Sequence, residues 1–249
     1  MHWGHSEYGE TWAEIYDEVF AWVDDTEPSV RKIAQIAGEN GVLELGASTG
    51  RIAVPLAQQG IQTHVIELSE KMIKLLEMKA SAAQAPLAVH QADLCDFDLG
   101  KKFGVVFLSH NTLSALPTQD DQLMCIRSAG RHVRGDGSLI VDQGVPGIEM
   151  LKGDGSLRFT RTDNGGTWVI GHRHDWATQQ VISQRMRFSN DEFFSGTIKG
   201  RYVWPGELDL MASLAGLRLS ERWSDWSGNE FRSSSQTFIS RFRPVEAPD

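Results

Sequence analysis

Val42-Leu43-Glu44-Leu45 runs without a break into Gly46-Ala47-Ser48-Thr49-Gly50-Arg51, and no other stretch restricts the fold of this chain as much. A short strand, apolar except for Glu44, suits burial on both faces of a sheet. The small residues after it make a tight bend into the helical pattern from Arg51 to Gln59. Such a bend brings bare backbone N–H groups to the carboxyl edge of a parallel sheet, where ligands bind. The alternation then repeats. Strands are expected near 62–66, 86–90, 103–109 and 137–142, with helices near 70–82 and 118–133 between them. Strands alternating with helices predict an α/β, doubly wound, three-layer sandwich with a parallel sheet. Ahead of it, Trp12, Ile15, Tyr16, Phe20 and Val23 recur at helical spacing, predicting a helix over 7–24, and a second helix begins at about Pro28.

The pattern changes after Asp142. LRFTR, TWVIGHRHDW and VISQRMRF read as β-type alternation, interrupted by the hairpin signal Asn164-Gly165-Gly166. An antiparallel β insertion after the fifth strand is therefore expected. Helical pattern returns over Pro205 to Ala215, Gly216 is placed to end it, and two closing strands follow near 217–223 and 235–242. The expected division is a core of residues 1–143 and 205–249, including an N-terminal helical lid, and a substrate-side insertion of residues 144–204.

Several ligands use glycine-rich bends, so spacing has to separate them. Counting from Gly46, a dinucleotide fingerprint needs glycines where Ser48 and Arg51 stand, and the Gly-Lys-Ser/Thr of a P-loop is absent. Glu67 ends the next strand, in THVIEL, where a carboxylate can accept both hydrogen bonds of a ribose diol. Asp93 follows the third strand, in HQADLCDF. Acids at three successive strand tips, Glu44, Glu67 and Asp93, point to a nucleoside ligand; any one of them alone would serve equally as a helix cap or turn residue.

ELGASTG resembles the first motif of class I S-adenosylmethionine-dependent methyltransferases, with Ser48 in place of the middle glycine. ADLCDF is similar to the family's adenine-side segment, with Ala92 for its usual glycine, and Ala13-Glu14-Ile15-Tyr16-Asp17 matches the family's N-terminal A-x-x-Y-D. Arg201-Tyr202, Glu207-Leu208 and Ala215-Gly216-Leu217 resemble its closing pattern, so the likeness spans nearly the whole chain. The insertion resembles that of small-molecule enzymes such as amino-sugar N,N-dimethyltransferases. The resemblance implies a Rossmann-like methyltransferase fold with S-adenosylmethionine as cofactor. It implies cofactor contacts from Tyr16, Glu44, Gly46, Ala47, Ser48, Gly50, Arg51, Glu67, Leu68, Met72, Asp93, Leu94 and Ser109. Among these, Glu67 would hold the ribose, Asp93 the adenine amino group, and Tyr16 would close over the methionine end.

Methyl transfer from a sulfonium is an in-line displacement, so the enzyme chiefly holds an unprotonated acceptor atom near the methyl group. Acceptor-side residues are expected after the fourth strand and on the insertion. Ser109-His110-Asn111-Thr112 replaces the D/N-P-P-Y of nucleobase and protein-glutamine methyltransferases, which disfavours those acceptors. His110 is the best-placed candidate base, or else a polar cap on the following turn. Trp168, Ile170, His172, His174 and Trp176 share one strand face by period two. They either wall an acceptor pocket, with His172 and His174 available for proton transfer, or form an exposed sheet face. Tyr8, Trp12, Asn111 and Trp226 complete the candidate substrate contacts. The expected reaction methylates a nitrogen of a small natural-product or amino-sugar type metabolite; an O- or C-methyltransferase and a non-catalytic cofactor-binding protein are the alternatives.

A formal net charge of -9, with no run of Lys and Arg, argues against a nucleic-acid partner. Cys95 and Cys125 lack metal-ligand spacing, no metal is expected, and two cysteines without a disulfide framework fit the cytoplasm. Neither a signal peptide nor an apolar stretch of roughly 20 residues is seen, so no membrane partner is expected. A monomer or homodimer is expected.

Overall fold

The computed structural model describes residues 7–20, 23–146, 155–161, 167–188 and 193–245. Five parallel strands make the centre of the main sheet: β1 (Val42–Leu45), β2 (Thr63–Glu67), β3 (Leu87–Gln91), β4 (Phe103–Leu108) and β5 (Val133–Gly144). The two closing strands, β10 (Leu217–Trp223) and β11 (Thr237–Pro244), pair antiparallel with each other, and β11 runs antiparallel to β5. The spatial order is β10-β11-β5-β4-β1-β2-β3. Its direction of winding reverses between β1 and β4, so a crevice opens beyond their carboxyl ends.

Helices cover both faces because the strands are apolar on both. All six residues of β4, FGVVFL, are buried. On one face Leu43, Leu45, Val106, Leu108 and Leu139 pack with Cys125, Ile126 and Ala129 of α6 (Gln119–Arg131) and Leu208, Met211 and Ala212 of α7 (Pro205–Leu214). On the other, Val42, Val105, Phe107 and Ile140 meet Val30, Ile33 and Ala37 of α3 (Thr26–Ala37) and Leu56 of α4 (Ala53–Gln58). Val65 on that side takes Leu76 of α5 (Glu70–Ala82). Each fully buried Leu, Ile or Phe contributes about 1.5–3 kcal/mol relative to exposure. Ser69 caps α5, accepting from the Met72 N–H at 3.3 Å, and Thr118 caps α6, accepting from the Asp121 N–H at 3.0 Å.

The insertion is a separate four-stranded antiparallel sheet in the order β6 (Gly155–Arg161), β7 (Thr167–Asp175), β8 (Gln180–Phe188) and β9 (Phe193–Arg201). Its fourth strand has no counterpart in the sequence reading, because Phe193–Arg201 mixes two glycines and a lysine into the alternation. The Asn164-Gly165-Gly166 turn lies outside the described residues, although the strands on either side of it pair antiparallel.

The N-terminal helix expected over 7–24 is broken. It runs as α1 (Glu7–Trp12), a 3-10 turn (Ala13–Ile15) and α2 (Tyr16–Val19). Tertiary contacts override its helical period. Trp12 is fully buried against Phe194 of β9, with ring centroids 5.0 Å apart, while Glu10 accepts from the Ser69 hydroxyl at 2.7 Å, at the start of α5. The segment therefore bridges the small sheet and the core.

Candidate active site

The bend after β1 has the backbone that its sequence requires. Gly46 and Gly50 adopt φ of 72° and 87°, and a Cβ on Gly46 would come within 2.6 Å of Thr112 Cγ2. Ser48 takes φ of 51°, a left-handed conformation that costs a non-glycine residue about 1–2 kcal/mol. Its N–H is secured by donating to Glu67 Oε2 at 2.8 Å. The other oxygen of Glu67 accepts from the Leu68 and Ser69 N–H groups at 2.9 and 3.0 Å. Burial pushes the Glu67 carboxyl above its ordinary value against these hydrogen bonds.

A cavity of about 380 Å³ opens at the carboxyl ends of β1, β2 and β4. Gly46, Ser48, Glu67, Leu68, Met72, Asp93 and Leu94 line its core side, and Tyr8, Tyr16, Phe20, His110 and Asn111 line its mouth. Two of the three strand-tip acids, Glu67 and Asp93, thus converge on the bend. The third faces a smaller adjoining cavity of about 280 Å³, lined by Glu44, Ala47, Arg51 and Ser109 and sharing Tyr16, Phe20, Gly46, Ser48 and His110 with the first.

Glu44 is only 2% exposed. Its Oε1 accepts from the Ser109 hydroxyl at 3.2 Å, but Oε2 is buried without a hydrogen-bond partner among the described residues. Burial, opposed by the Arg51 charge and the Ser109 hydroxyl, pushes its carboxyl up to about 8. Arg51 donates through Nη1 to Asp25 at 2.6 Å and to the Thr26 hydroxyl at 3.0 Å, while its Nη2 is buried without a hydrogen-bond partner among the described residues. An unpaired carboxylate oxygen and an unpaired guanidinium nitrogen in one small cavity complement a ligand bearing both an ammonium and a carboxylate.

His110 and Asn111 follow β4 with consecutive left-handed φ values of 47° and 67°. Two such residues in a row are strained, and the surroundings hold them there. The His110 N–H donates to Asp142 Oδ2 and the Asn111 N–H to the Asp142 carbonyl, both at 3.1 Å, while Asn111 Oδ1 accepts from the Gly144 N–H at 2.6 Å. The Trp226 indole N–H also donates to Asp142, at 3.1 Å. Burial and the nearby Arg51 charge lower the basicity of His110, whose ring meets Phe20 edge-on with centroids 5.7 Å apart.

The aromatic and histidine candidates separate into groups. Tyr8 and Asn111 line the larger cavity, whereas Trp12 and Trp168 pack with Phe194 behind it. Trp226 lies off the cavities, buried with Ile33 and Ile239. The Trp168-to-His174 face of β7 points inward, but the residues of the small sheet that reach the cavity are Val181, Ser183 and Arg185 of β8 and Ile198 and Gly200 of β9. His172 and His174 pair with Ser183 and Val181, one strand farther away. Burial lowers the pKa of both histidines, and His174 stacks on the exposed Trp176. Sequence reasoning missed Arg185 and Ser183. Their alternate placement in VISQRMRF was the available signal, but which parity faced inward depended on pairing with β7.

Residues 42–137 match the family described as Methyltransferase domain. The structure of the CcbJ methyltransferase from Streptomyces caelestis is 30% identical, with a TM-score of 0.90 over 98% of this chain and 100% of that one. The chain belongs to the S-adenosylmethionine-dependent methyltransferases. The methyltransferase is also 24% identical to the cypemycin N-terminal methyltransferase of a Streptomyces species, across 94% of this chain and 96% of that one. It shares its fold with CalS10 of Micromonospora echinaspora, an amino pentose methyltransferase solved with S-adenosylmethionine bound, at 16% identity and a TM-score of 0.68 over 91% and 96% of the two chains. No helix among the described residues of the methyltransferase is long and apolar enough to cross a membrane.

Proposed function

We propose that this methyltransferase transfers a methyl group to a nitrogen of a small metabolite of natural-product or amino-sugar type. The observation that carries this reading is the pair of joined cavities. One has unsatisfied groups for an amino-acid end, and the other runs from Glu67 and Asp93 to a lid of aromatic side chains and β8. The bound cofactor supplies a methyl group on a positively charged sulfur. In this reading Glu67 takes the ribose hydroxyls, Asp93 with Leu94 takes the adenine edge, and Glu44 and Arg51 take the ammonium and carboxylate. Gly46, Ala47, Ser48 and Gly50 keep the loop low enough for close approach.

The acceptor lies between His110, Asn111, Tyr8 and the inner face of β8. The rings of Tyr16 and Phe20, 4.6 Å apart, border both cavities and favour a cation there. Burial raises the pKa of the Tyr8 and Tyr16 hydroxyls, so both stay uncharged at neutral pH. An amine, which is nucleophilic once unprotonated, needs less help from such a site than a hydroxyl does. His110 is the group that receives the released proton. The relative whose name specifies an N-terminal methyltransferase supports nitrogen as the acceptor atom.

We further assign residues 144–204 to acceptor recognition and the rest of the chain to the cofactor. The two unpaired cysteines fit a cytoplasmic location. A methyl-transfer screen on matched amines and phenols, read as S-adenosylhomocysteine release, tests the reading. Turnover of amines supports it; turnover confined to phenols or alcohols sinks it.

A further inference from the structure

Arg185 is a half-buried cation in the acceptor cavity, and no carboxylate pairs with it among the described residues. It projects from the inner face of β8 and lines the cavity with Ser183, two residues earlier on the same face. Its guanidinium lies 5.9 Å from the ring centre of Trp12 and 5.7 Å from that of Phe20. These rings accommodate the flat face of the cation but accept no N–H hydrogen bond in its plane. Nε of Arg185 and Oγ of Ser183 are buried without a hydrogen-bond partner among the described residues, as is Nδ1 of His172, which stands opposite Ser183. The titratable groups coupled to the Arg185 charge are Tyr8, His110 and His172, and none of them is a carboxylate. Leaving buried donors unmatched is costly, so the arrangement is complete only when a ligand brings acceptors to it.

We propose that Arg185, with Ser183 beside it, binds a carboxylate carried by the methyl acceptor, making the acceptor an amino acid or other amino-carboxylate. This deepens the proposed N-methylation and rests on it. The cofactor's own carboxylate has a separate partner in Arg51, which faces the smaller cavity, whereas Arg185 lines the larger one. A monoanion fits better than a phosphate, because the guanidinium of Arg185 lies over the apolar rings of Trp12 and Phe20 and the described residues offer no second Lys or Arg within the cavity. Arg185 also depresses the basicity of His110, so the two groups act on one region of the cavity. A carboxylate on Arg185 relieves that part of the depression, which burial and the Arg51 charge otherwise dominate.

The test is calorimetric and needs no turnover. The protein saturated with S-adenosylhomocysteine is titrated with glycine, leucine, phenylalanine and 3-aminobenzoate, each alongside its primary carboxamide. The best-binding acid should exceed its amide by about 10- to 100-fold in affinity, the range of a charge-assisted hydrogen bond. Arg185→Gln should erase that ratio and Arg185→Lys should keep part of it, with S-adenosylhomocysteine affinity unchanged in both. Circular dichroism and thermal melting check that each variant is folded. Acids that bind no better than their amides overturn the proposal, even if amines are methylated. It is also overturned if Arg185→Gln weakens the cofactor product and leaves the acid-to-amide ratio intact, which would give Arg185 to the cofactor. Failure of every amine to be methylated, with the acid preference present, would instead count against the nitrogen reading alone.

Discussion

Replacing Glu44 by glutamine isolates the cost of the carboxyl buried behind the cofactor loop. With its pKa raised from 4.5 to about 8, Glu44 holds its proton in the folded protein over a range where the unfolded chain has lost it. Folding is then linked to proton uptake, so the stability of the ligand-free protein falls as pH rises from about 4.5 and levels off above about 8. At about 1.4 kcal/mol per pH unit, the ceiling over the whole range is about 5 kcal/mol. Relaxation and water entry reduce that, and about 2–3 kcal/mol is expected. The substituted amide keeps an oxygen for the Ser109 hydroxyl and does not titrate, so other groups cancel when the two proteins are compared. Urea unfolding at pH 5.5, 6.5, 7.5 and 8.5 should show Glu44→Gln gaining on the wild type by about 1 kcal/mol per unit up to pH 7.5. Saturating S-adenosylmethionine should flatten the wild-type slope, because an ammonium beside Oε2 holds the carboxylate charged. Parallel curves for the two ligand-free proteins would refute the reasoning.

Glu67→Gln should weaken S-adenosylmethionine by about 10- to 100-fold in a calorimetric titration, as expected for losing charge-assisted hydrogen bonds, with the thermal midpoint showing that the fold persists. Ser48→Gly relieves a left-handed serine and should add up to about 1 kcal/mol of stability by urea unfolding, whereas Ser48→Val should cost about 1–3 kcal/mol. Gly200→Ala places a Cβ 2.1 Å from the Ser114 carbonyl oxygen, so the small sheet must shift away from the loop after β4. A loss of about 1–3 kcal/mol and a raised acceptor KM are expected, measured by melting and by steady-state kinetics. His110→Phe should lower kcat about 100-fold or more at neutral pH, with a much smaller change in S-adenosylmethionine affinity because the ring also borders the smaller cavity, in paired rate and binding measurements.

The bend after β1 and the strand tips around it were legible in the sequence because their determinants are local. A strand, a bend with glycines at 46 and 50, and carboxylates at strand tips are set by neighbours along the chain, and parallel strands joined by helices have one favoured handedness. The inward face of the small sheet required pairing between distant strands. Whether Arg185 or its neighbours face inward follows from the register of β8 on β7, and a one-residue slip would have turned every side chain over. The same holds for the histidines at 172 and 174, which share the inward face yet stand one strand back from the cavity. Trp226 shows the limit most plainly. In the sequence it stands as a candidate substrate contact, or else as an aromatic packed on the sheet; in the structure it is buried with its N–H on Asp142, the residue that tethers the His110 loop. Local chemistry set the bend and the carboxylates at the strand tips; long-range register and burial decided which side chains stand around them.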